Sequence, residues 1–370
     1  MGPPDHMKVL KRLPTSKPPF ELSDLKRAIP PHCFELLILR SFRSLFRELF
    51  LICTLYYLAS NNIPLLPQPL KYIAWPLYWF FQGLILGSLW SLTHEISHGA
   101  FSGYQWLDDT IGFIIHSALL TPYYSMKYSH RNHHANTNSV EYDVIHVPKL
   151  KSHRLYSKIL NNPIGVVLKI LFDITFGWNL YLLFNYTGRK YEGIASHFYP
   201  QSPMYTDSER RLILLSNVGI FVSLYAYYNI VVTKGLMWTI YMCGAPLLVM
   251  CSVLMVLTYL QHTHLSIAHY DSTEWDWIRG ALSTVDRDVG ILNWLVHDVP
   301  RNHVLHHLFP RIPHYHANEA TKAIKPILGD YYKYDDTPVV KAFWREMKEC
   351  IYVEPDDGHK SGVYWFKNKA

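Results

Sequence analysis

Apolar residues in this chain come in blocks of about twenty rather than in stripes with a helical or strand period. Blocks of that length are what a hydrocarbon slab ~30 Å thick requires of a helix. They fall at about 48–66, 73–93, 211–232 and 237–260, in two pairs with short links, and so predict two helical hairpins. Residues 110–124 are apolar but too short to cross, which predicts an interfacial or re-entrant helix. The block at 164–184 is interrupted by Lys169 and Asp173, and a charge near the bilayer centre costs ~3 kcal/mol, so this block is expected to lie in the interface. The predicted fold class is an all-α integral membrane protein with four transmembrane helices in two hairpins, interfacial helices and a cytosolic histidine-rich cap.

Charge placement orients this scheme. Residues 1–47 carry nine Lys or Arg, whereas the link between the first two blocks holds one basic residue, Lys71. By the positive-inside rule the N-terminus is cytosolic and the link lumenal, with both hairpins returning to the cytosolic side. The expected divisions are a basic segment at 1–47, a first hairpin at 48–93, a cytosolic and interfacial region at 94–210, a second hairpin at 211–260 and a cytosolic region at 261–370. Within the first, Ser23-Asp-Leu-Lys-Arg-Ala28 reads as a short capped helix. That segment is too polar and proline-rich for a cleavable signal peptide, and His6 stands where a myristoylation motif needs Ser or Thr, so the first span is expected to do the targeting. Asn185-Tyr-Thr187 is a formal glycosylation sequon that this topology leaves in the cytosol, unmodified. Tyr270, Trp275, Trp277 and Trp294 are expected to form an interfacial aromatic belt.

Composition agrees with a membrane protein: 49% hydrophobic and 15% aromatic residues stand beside 17% charged, with a net charge of +6. The five cysteines, Cys33, Cys53, Cys243, Cys251 and Cys350, are scattered without C-x-x-C spacing and read as reduced and structural, neither disulfide-bonded nor zinc ligands.

The chemistry lies in the histidines. Eight of the 21 fall in three five-residue windows, His94-Glu-Ile-Ser-His98, His130-Arg-Asn-His133-His134 and His303-Val-Leu-His306-His307. Spacings of three and four put these side chains on one helical face, a turn apart, so each window can present several imidazoles to a shared point. By the topology above all three windows share one membrane face. Taken alone, His94-Glu95-x-x-His98 matches the zinc-protease motif. A zinc hydrolase needs three protein ligands and an open position, so of the six further clustered histidines at least five are surplus. Eight imidazoles suit two metal ions of four or five ligands each, and imidazole suits iron, copper and zinc. A soluble ferritin-like di-iron bundle would show paired Glu-x-x-His motifs, of which only Glu95-x-x-His98 is present. His32, His116, His153, His197 and His359 read as ordinary hydrogen-bonding residues.

These three boxes, in this order around this hairpin pattern, resemble those of the membrane fatty acid desaturases, and most closely the plant endoplasmic-reticulum Δ12 (oleate) desaturase group. The resemblance extends over nearly the whole chain, through Ala28-Ile-Pro-Pro-His-Cys-Phe34, His116-Ser-Ala-Leu-Leu120, Thr258-Tyr-Leu-Gln-His-Thr-His264, His269-Tyr-Asp-Ser-Thr-Glu-Trp-Asp-Trp277, Arg279-Gly-Ala-Leu-Ser-Thr-Val-Asp-Arg-Asp288 and Ile351-Tyr-Val-Glu-Pro355. It implies two iron ions, an oxygen-dependent reaction that removes hydrogens from adjacent methylene groups, and a phospholipid-borne oleoyl or linoleoyl chain as substrate. It adds His262 as a ninth ligand, with His264 a weaker candidate. Asp143, Asp286, Asp288 and Asp298 are the carboxylates available to fix imidazole tautomers. No His-Pro-Gly-Gly haem motif occurs, so cytochrome b5 with its reductase is the expected electron donor. Phe366-Lys-Asn-Lys-Ala370 resembles the aromatic endoplasmic-reticulum retrieval signal of the group, with Ala370 in place of a larger apolar residue. A multi-pass protein of that membrane with both termini cytosolic is expected, as a homo- or heterodimer with related desaturases or alone.

The chain also departs from the group. Ile96-Ser97 replaces the usual Cys-Gly in the first box, Thr93 stands before it where Ala is usual, and Pro310 and Ile312 replace Ser and Met after the third. Such positions tune the product in divergent members, so an acetylenase, conjugase, hydroxylase or epoxygenase is the alternative to an ordinary desaturase. A zinc protease and an inactive regulatory homologue are the remaining readings.

Overall fold

The computed structural model describes residues 11–151, 162–356 and 362–368. Its first helix, α1 (Leu22–Ala28), begins at Glu21, whose N–H donates to Asp24 Oδ2 at 2.8 Å. Ser23 thus lies inside the helix it was expected to cap. A tight turn at Pro31–Phe34 leads to the first helical hairpin, α2 (Ile38–Asn62) and α3 (Gln68–Ser97), joined through Ile63–Leu65 and Pro67. Then come α4 (Gln105–Ala118) and α5 (Tyr123–Asn136). The apolar block at 110–124 therefore does not form one helix: it breaks where Leu120 turns to φ 55° ahead of Pro122.

Next is α6 (Pro163–Phe184), followed by the second hairpin, α7 (Arg210–Lys234) and α8 (Leu236–His262). Gly235, at φ 90°, makes its turn, a conformation that glycine adopts without steric cost. Short helices α9 (Trp277–Leu282), α10 (Leu292–Leu295) and α11 (His303–Leu308), then α12 (His314–Leu328) and α13 (Val339–Glu349), build the rest. The all-helical expectation needs a correction, because the described residues include five short strands. β1 (Ala268–Tyr270), β5 (Val363–Lys367) and β4 (Tyr352–Glu354) form an antiparallel sheet in that order, and β2 (Asp286–Arg287) pairs in parallel with β3 (Tyr334–Asp335). Strands of two to five residues are too short to show a two-residue period.

The two hairpins meet through α3 and α8. Gly83 and Gly87, one helical turn apart, let the helices approach closely. A Cβ on Gly83 would lie 2.5 Å from Val249 Cγ1 and 2.9 Å from the Pro246 carbonyl oxygen. Two wide π-helical turns, Asp173–Gly177 in α6 and Ile240–Gly244 in α8, interrupt regular hydrogen bonding. Neighbouring side chains bind carbonyls of both turns. Trp79 Nε1 donates to Tyr241 O at 2.9 Å, Tyr78 OH to Met242 O at 2.8 Å and Ser252 Oγ to Ile174 O at 2.6 Å. In an apolar surrounding such groups have no water to turn to.

Among the described residues three helices are long and apolar enough to cross a membrane: Pro163–Phe184, Arg210–Lys234 and Leu236–His262. They coincide with the four expected spans only in the second hairpin. The block at 164–184 qualifies by length and composition because its charges are few, and the two it carries lie together: Lys169 is 3.6 Å from Asp173, whose side chain is buried. The helices of the first hairpin have the length but carry more polar residues, Arg40, Arg43, Arg47 and Glu48 among them in α2.

The polar ends of the chain do not form separate units. Phe20, Leu25, Ile29 and Cys33 share one apolar core with Val304, Leu305 and Leu308 of α11 and Ala317, Ala320 and Ile324 of α12. The aromatic belt does not form either: Trp275 and Trp277 donate inward to the carbonyls of Thr137 and His134, and Tyr270 is buried. Trp294 alone of the four is exposed, beneath the Arg47 guanidinium. In the sequon, Asn185 is buried, its amide donating to Arg189 O at 3.0 Å.

The α3–α8 contact can be tested by adding one methyl group. Gly83→Ala is expected to destabilise the protein by about 1–3 kcal/mol through overpacking, read as a lower thermal midpoint in detergent. Gly87→Ala, whose Cβ would meet Val253 Cγ1 at 3.7 Å, is expected to leave the midpoint unchanged.

Candidate metal centre

Four separate elements deliver the clustered histidines to one place. His94 sits on the last turns of α3 and His98 caps it, with the Ser97 hydroxyl donating to His94 O at 2.6 Å. His130, His133 and His134 lie on α5, and His262 is the final residue of α8. The short α11 carries His303, His306 and His307. Its start is held by Asp286, which accepts from Val304 N–H at 2.8 Å and from Tyr332 OH at 2.7 Å, burial pushing its carboxyl up to about 7.

The rings form two groups. His94, His98, His130, His134 and His306 each place one nitrogen within 4.8 Å of all the others. His133, His262 and His307 do the same, and His303 Nε2 joins them at 2.9 Å from His262 Nε2 and 3.1 Å from His307 Nε2. The groups abut where the His134 and His307 rings stack with centroids 4.2 Å apart. All eight box histidines and His262 are thus brought together, five and four.

Their chemistry fits a metal. Burial, with neighbouring imidazoles adding to it, holds His98, His130, His134, His303, His306 and His307 well below the usual histidine value. Neutral rings offer lone pairs, the form in which imidazole binds metal. Nitrogen–nitrogen separations of 2.6 Å between His94 and His130 and 2.8 Å between His134 and His130 pack those lone pairs together. His306 Nε2, His134 Nδ1 and His262 Nδ1 are buried without a hydrogen-bond partner among the described residues. A cation between the rings answers both features.

Of the four carboxylates expected to orient imidazoles, one does. Asp143 Oδ1 accepts from His133 Nδ1 at 2.7 Å, which leaves His133 Nε2 as the free donor atom. Burial acts to raise the Asp143 carboxyl, but His133 and the N–H groups of Asn138 and Ile145 hold it below its usual value. Asp286 binds the backbone of α11 instead, Asp288 binds Arg301 and Asn293, and Asp298 binds Asn318. His307 Nδ1 is served by the Thr137 hydroxyl at 3.2 Å. His264 lies outside both groups, buried 3.6 Å from Asp335 and 3.8 Å from Glu346. Arg287 and Arg345 pair with the same two carboxylates and supply the positive charge there. Glu95, the general base of the protease reading, instead accepts from His314 Nδ1 at 2.9 Å.

A cavity of about 1080 Å³ opens onto both groups, reaching His94, His130, His133, His262, His303 and His306. That is slightly above the ~300–1,000 Å³ usual for ligand sites. Its wall is mostly apolar, with Trp90, Met126, Trp178, Tyr181, Leu254 and Met255 between α3, α5, α6 and α8. Thr93, Ile96, Ser97, Pro310 and Ile312 are not on this wall. Thr93 is buried with its hydroxyl bonded to Leu89 O and Trp90 O, Ile96 packs with Leu45, Leu89 and Phe101, and Ile312 joins the core under α11. Sequence reasoning missed His146, which lines the cavity and stacks on His262 at 5.5 Å, burial pushing it down to about 4. Its place three residues after Asp143 was the available signal. His116 and His197 are buried beside Trp90 and Tyr181, while His153 and His359 lie outside the described residues.

Two polyhistidine groups at the end of a large apolar cavity, on a scaffold of long apolar helices, fit the class of membrane oxidoreductases that hold metal through histidine. The chain belongs to the fatty acid desaturase family, oxidoreductases acting on fatty acyl chains: the family model "Fatty acid desaturase" matches residues 73–338. It is 58% identical over 367 residues to fatty acid conjugase FAC2 B of Calendula officinalis, covering 98% of each chain. It is 58% identical over 378 residues to a Delta(9) fatty acid conjugase-like enzyme of Dimorphotheca sinuata, covering all of both. The Delta(12)-fatty-acid desaturase of Arabidopsis thaliana is 55% identical over 361 residues, 97% of this chain and 94% of its own.

Asp143→Asn is expected to lower metal affinity about 10–100-fold, the usual cost of losing a group that orients a metal-bound histidine. Metal retained against a graded chelator measures it. His264→Gln is expected to keep its metal and to lose thermal stability only.

Proposed function

We propose that this chain is an oxygen-dependent, di-iron acyl-lipid desaturase that acts near the Δ12 position of oleoyl or linoleoyl chains of membrane phospholipid. The observation that carries this is the meeting of the two imidazole groups with the long apolar cavity. Irons bound by His94, His98, His130, His134 and His306 and by His133, His262, His303 and His307 supply the oxygen chemistry. The chain's own task is positioning: the wall formed by Trp178, Tyr181, Leu254 and Met255 excludes water and holds one carbon pair against the imidazoles. Lys149, Lys169, Arg189 and Lys190 line the same cavity and suit an acyl chain that arrives on an anionic phosphate headgroup.

Four spans fit this reading. Although α2 and α3 are less apolar than α8, both expose large apolar side chains, including Phe46, Phe50, Tyr57, Leu77, Phe80 and Phe81, in the manner of a lipid-facing surface. With the histidines at the cytosolic ends of α3 and α8, electrons arrive there from cytochrome b5 and its reductase, in the endoplasmic-reticulum membrane.

A conjugase is the second reading. The 58% identity to two proteins named as conjugases or conjugase-like, against 55% to the Arabidopsis desaturase, favours it, as does the altered first box.

Expression in a yeast that makes oleate, with linoleate supplied in a parallel culture, is expected to yield a new fatty acid identified by mass spectrometry. Linoleate from oleate defines the desaturase and a conjugated triene from linoleate the conjugase. His133→Ala and His306→Ala are each expected to reduce product at least ~100-fold together with iron content. Product formation unchanged by either substitution would sink the assignment.

A further inference from the structure

Away from the two imidazole groups, a third set of potential ligands occurs where the N-terminal segment meets α12. His32, Cys33, His316 and Glu319 each place one donor atom within 4.8 Å of the other three. His32 Nε2 lies 3.0 Å from Glu319 Oε2 and 3.8 Å from Cys33 Sγ, and the His32 and His316 rings meet edge to face at 5.3 Å. The turn at Pro31–Phe34 presents adjacent residues His32 and Cys33. His316 and Glu319, three apart on α12, share one helical face.

Two features ask for a ligand here. His316 is 6% exposed, and its Nε2 is buried without a hydrogen-bond partner among the described residues. Cys33 is fully buried beside it, its Sγ within 4.8 Å of a donor atom of each of the other three. The His32 and Glu319 side chains, 49% and 53% exposed, leave the set open to solvent on one side.

We propose that His32, Cys33, His316 and Glu319 form a structural zinc site that fastens the N-terminal segment to α12. One thiolate, one carboxylate and two neutral imidazoles balance the charge of Zn²⁺, and four donors complete a closed tetrahedral shell. A mixed sulfur, nitrogen and oxygen set suits borderline-soft zinc and separates this site chemically from the all-imidazole groups. Ligand–ligand edges in such a shell are roughly 3.3–3.8 Å, so the donors close in by about 1 Å through side-chain rotation. Arg40 lies near His316, and the carboxylates of Glu35 and Glu319 oppose it. The joint matters to the rest of the molecule because α12 starts at His314, which binds Glu95 of the first box, and because Leu37 N–H donates to Tyr315 OH at 2.7 Å. The cluster formed by His264, Asp335 and Glu346 makes no comparable claim, since two arginines already neutralise it.

This inference stands apart from the identity of the reaction. Elemental analysis of the full chain, purified in detergent after growth with zinc and iron and then dialysed, is expected to find about one zinc per chain besides iron. Cys33→Ser and His316→Gln are expected to lose the zinc, keep the iron and melt at a lower temperature, while His306→Ala loses iron and keeps the zinc. Cobalt added to the zinc-free protein is expected to give a thiolate charge-transfer band that is absent from Cys33→Ser. Wild-type protein without zinc, or a zinc content unmoved by Cys33→Ser, overturns the proposal. If the variants fail to fold, zinc-edge X-ray absorption of the wild type decides: one sulfur in the shell supports the site, and a shell of nitrogen and oxygen alone refutes it.

Discussion

Nine imidazole rings crowd into one buried space, and that crowding sets the terms for everything around it. Nitrogen atoms of His94 and His130 stand 2.6 Å apart, and those of His303 and His262 2.9 Å apart. Protonated rings at such distances would bring like charges together, so the arrangement favours neutral imidazoles, the form that binds a cation. A cation bound among them adds its binding energy to the stability of the helices that carry them. Orientation matters as much as proximity. Asp143 fixes His133 by accepting a hydrogen bond from its Nδ1–H, and Thr137 serves His307, while Asp286 acts one step further out by anchoring the short helix α11.

A demanding centre of this kind needs supports that do not slide. The glycine contact packs α3, which carries His94 near its end, against α8, which ends in His262, closely enough at Gly83 that a Cβ would clash. Two π-helical turns then adjust the phase of α6 and α8, and their carbonyls are bound by Trp79, Tyr78 and Ser252. Polar side chains inside an apolar bundle are expensive unless paired. The inward face of α6 follows the same rule, with Lys169 against Asp173 at the cavity wall. The π-turn of α6 thus lies at the cavity, where Asp173 and Gly177 line the wall, whereas that of α8 lies near the opposite end of its helix; neighbouring donors satisfy carbonyls of both.

Much of this was legible in the sequence because it is local. Histidines three and four apart announce a shared helical face, and blocks of twenty apolar residues announce long helices, so the convergence of the box histidines and the two helical hairpins could be read directly. What failed depended on distant partners. Asp143, Asp286, Asp288 and Asp298 look alike in sequence, and only packing shows that Asp143 alone reaches an imidazole. His264 sits in the same motif as His262 but turns toward Asp335 and Glu346, about 70–80 positions further on. Trp275 and Trp277 resembled a belt because sequence does not reveal that their N–H groups point inward at α5 carbonyls. His32 and Glu319 are 287 positions apart, so Cys33 between them carried no ligand spacing to notice. The block at 164–184 was judged by its charges, which the fold pairs.

The altered first box acquires a different meaning once its neighbours are known. Thr93, Ile96 and Ser97 do not touch the cavity, so they do not select a product by filling space beside an acyl chain. Each instead acts on the helix that carries two ligands: Thr93 bonds back to Leu89 O and Trp90 O, Ser97 bonds to His94 O, and Ile96 sets how α3 packs on α2 and α4. A hydroxyl bonded to a carbonyl one turn earlier bends a helix slightly. Since Trp90 stacks on His94 with ring centroids 5.6 Å apart and also lines the cavity, a small bend there moves ligand and wall together. The altered positions therefore bear on the cavity through the helix that carries both Trp90 and His94, and not by lining it.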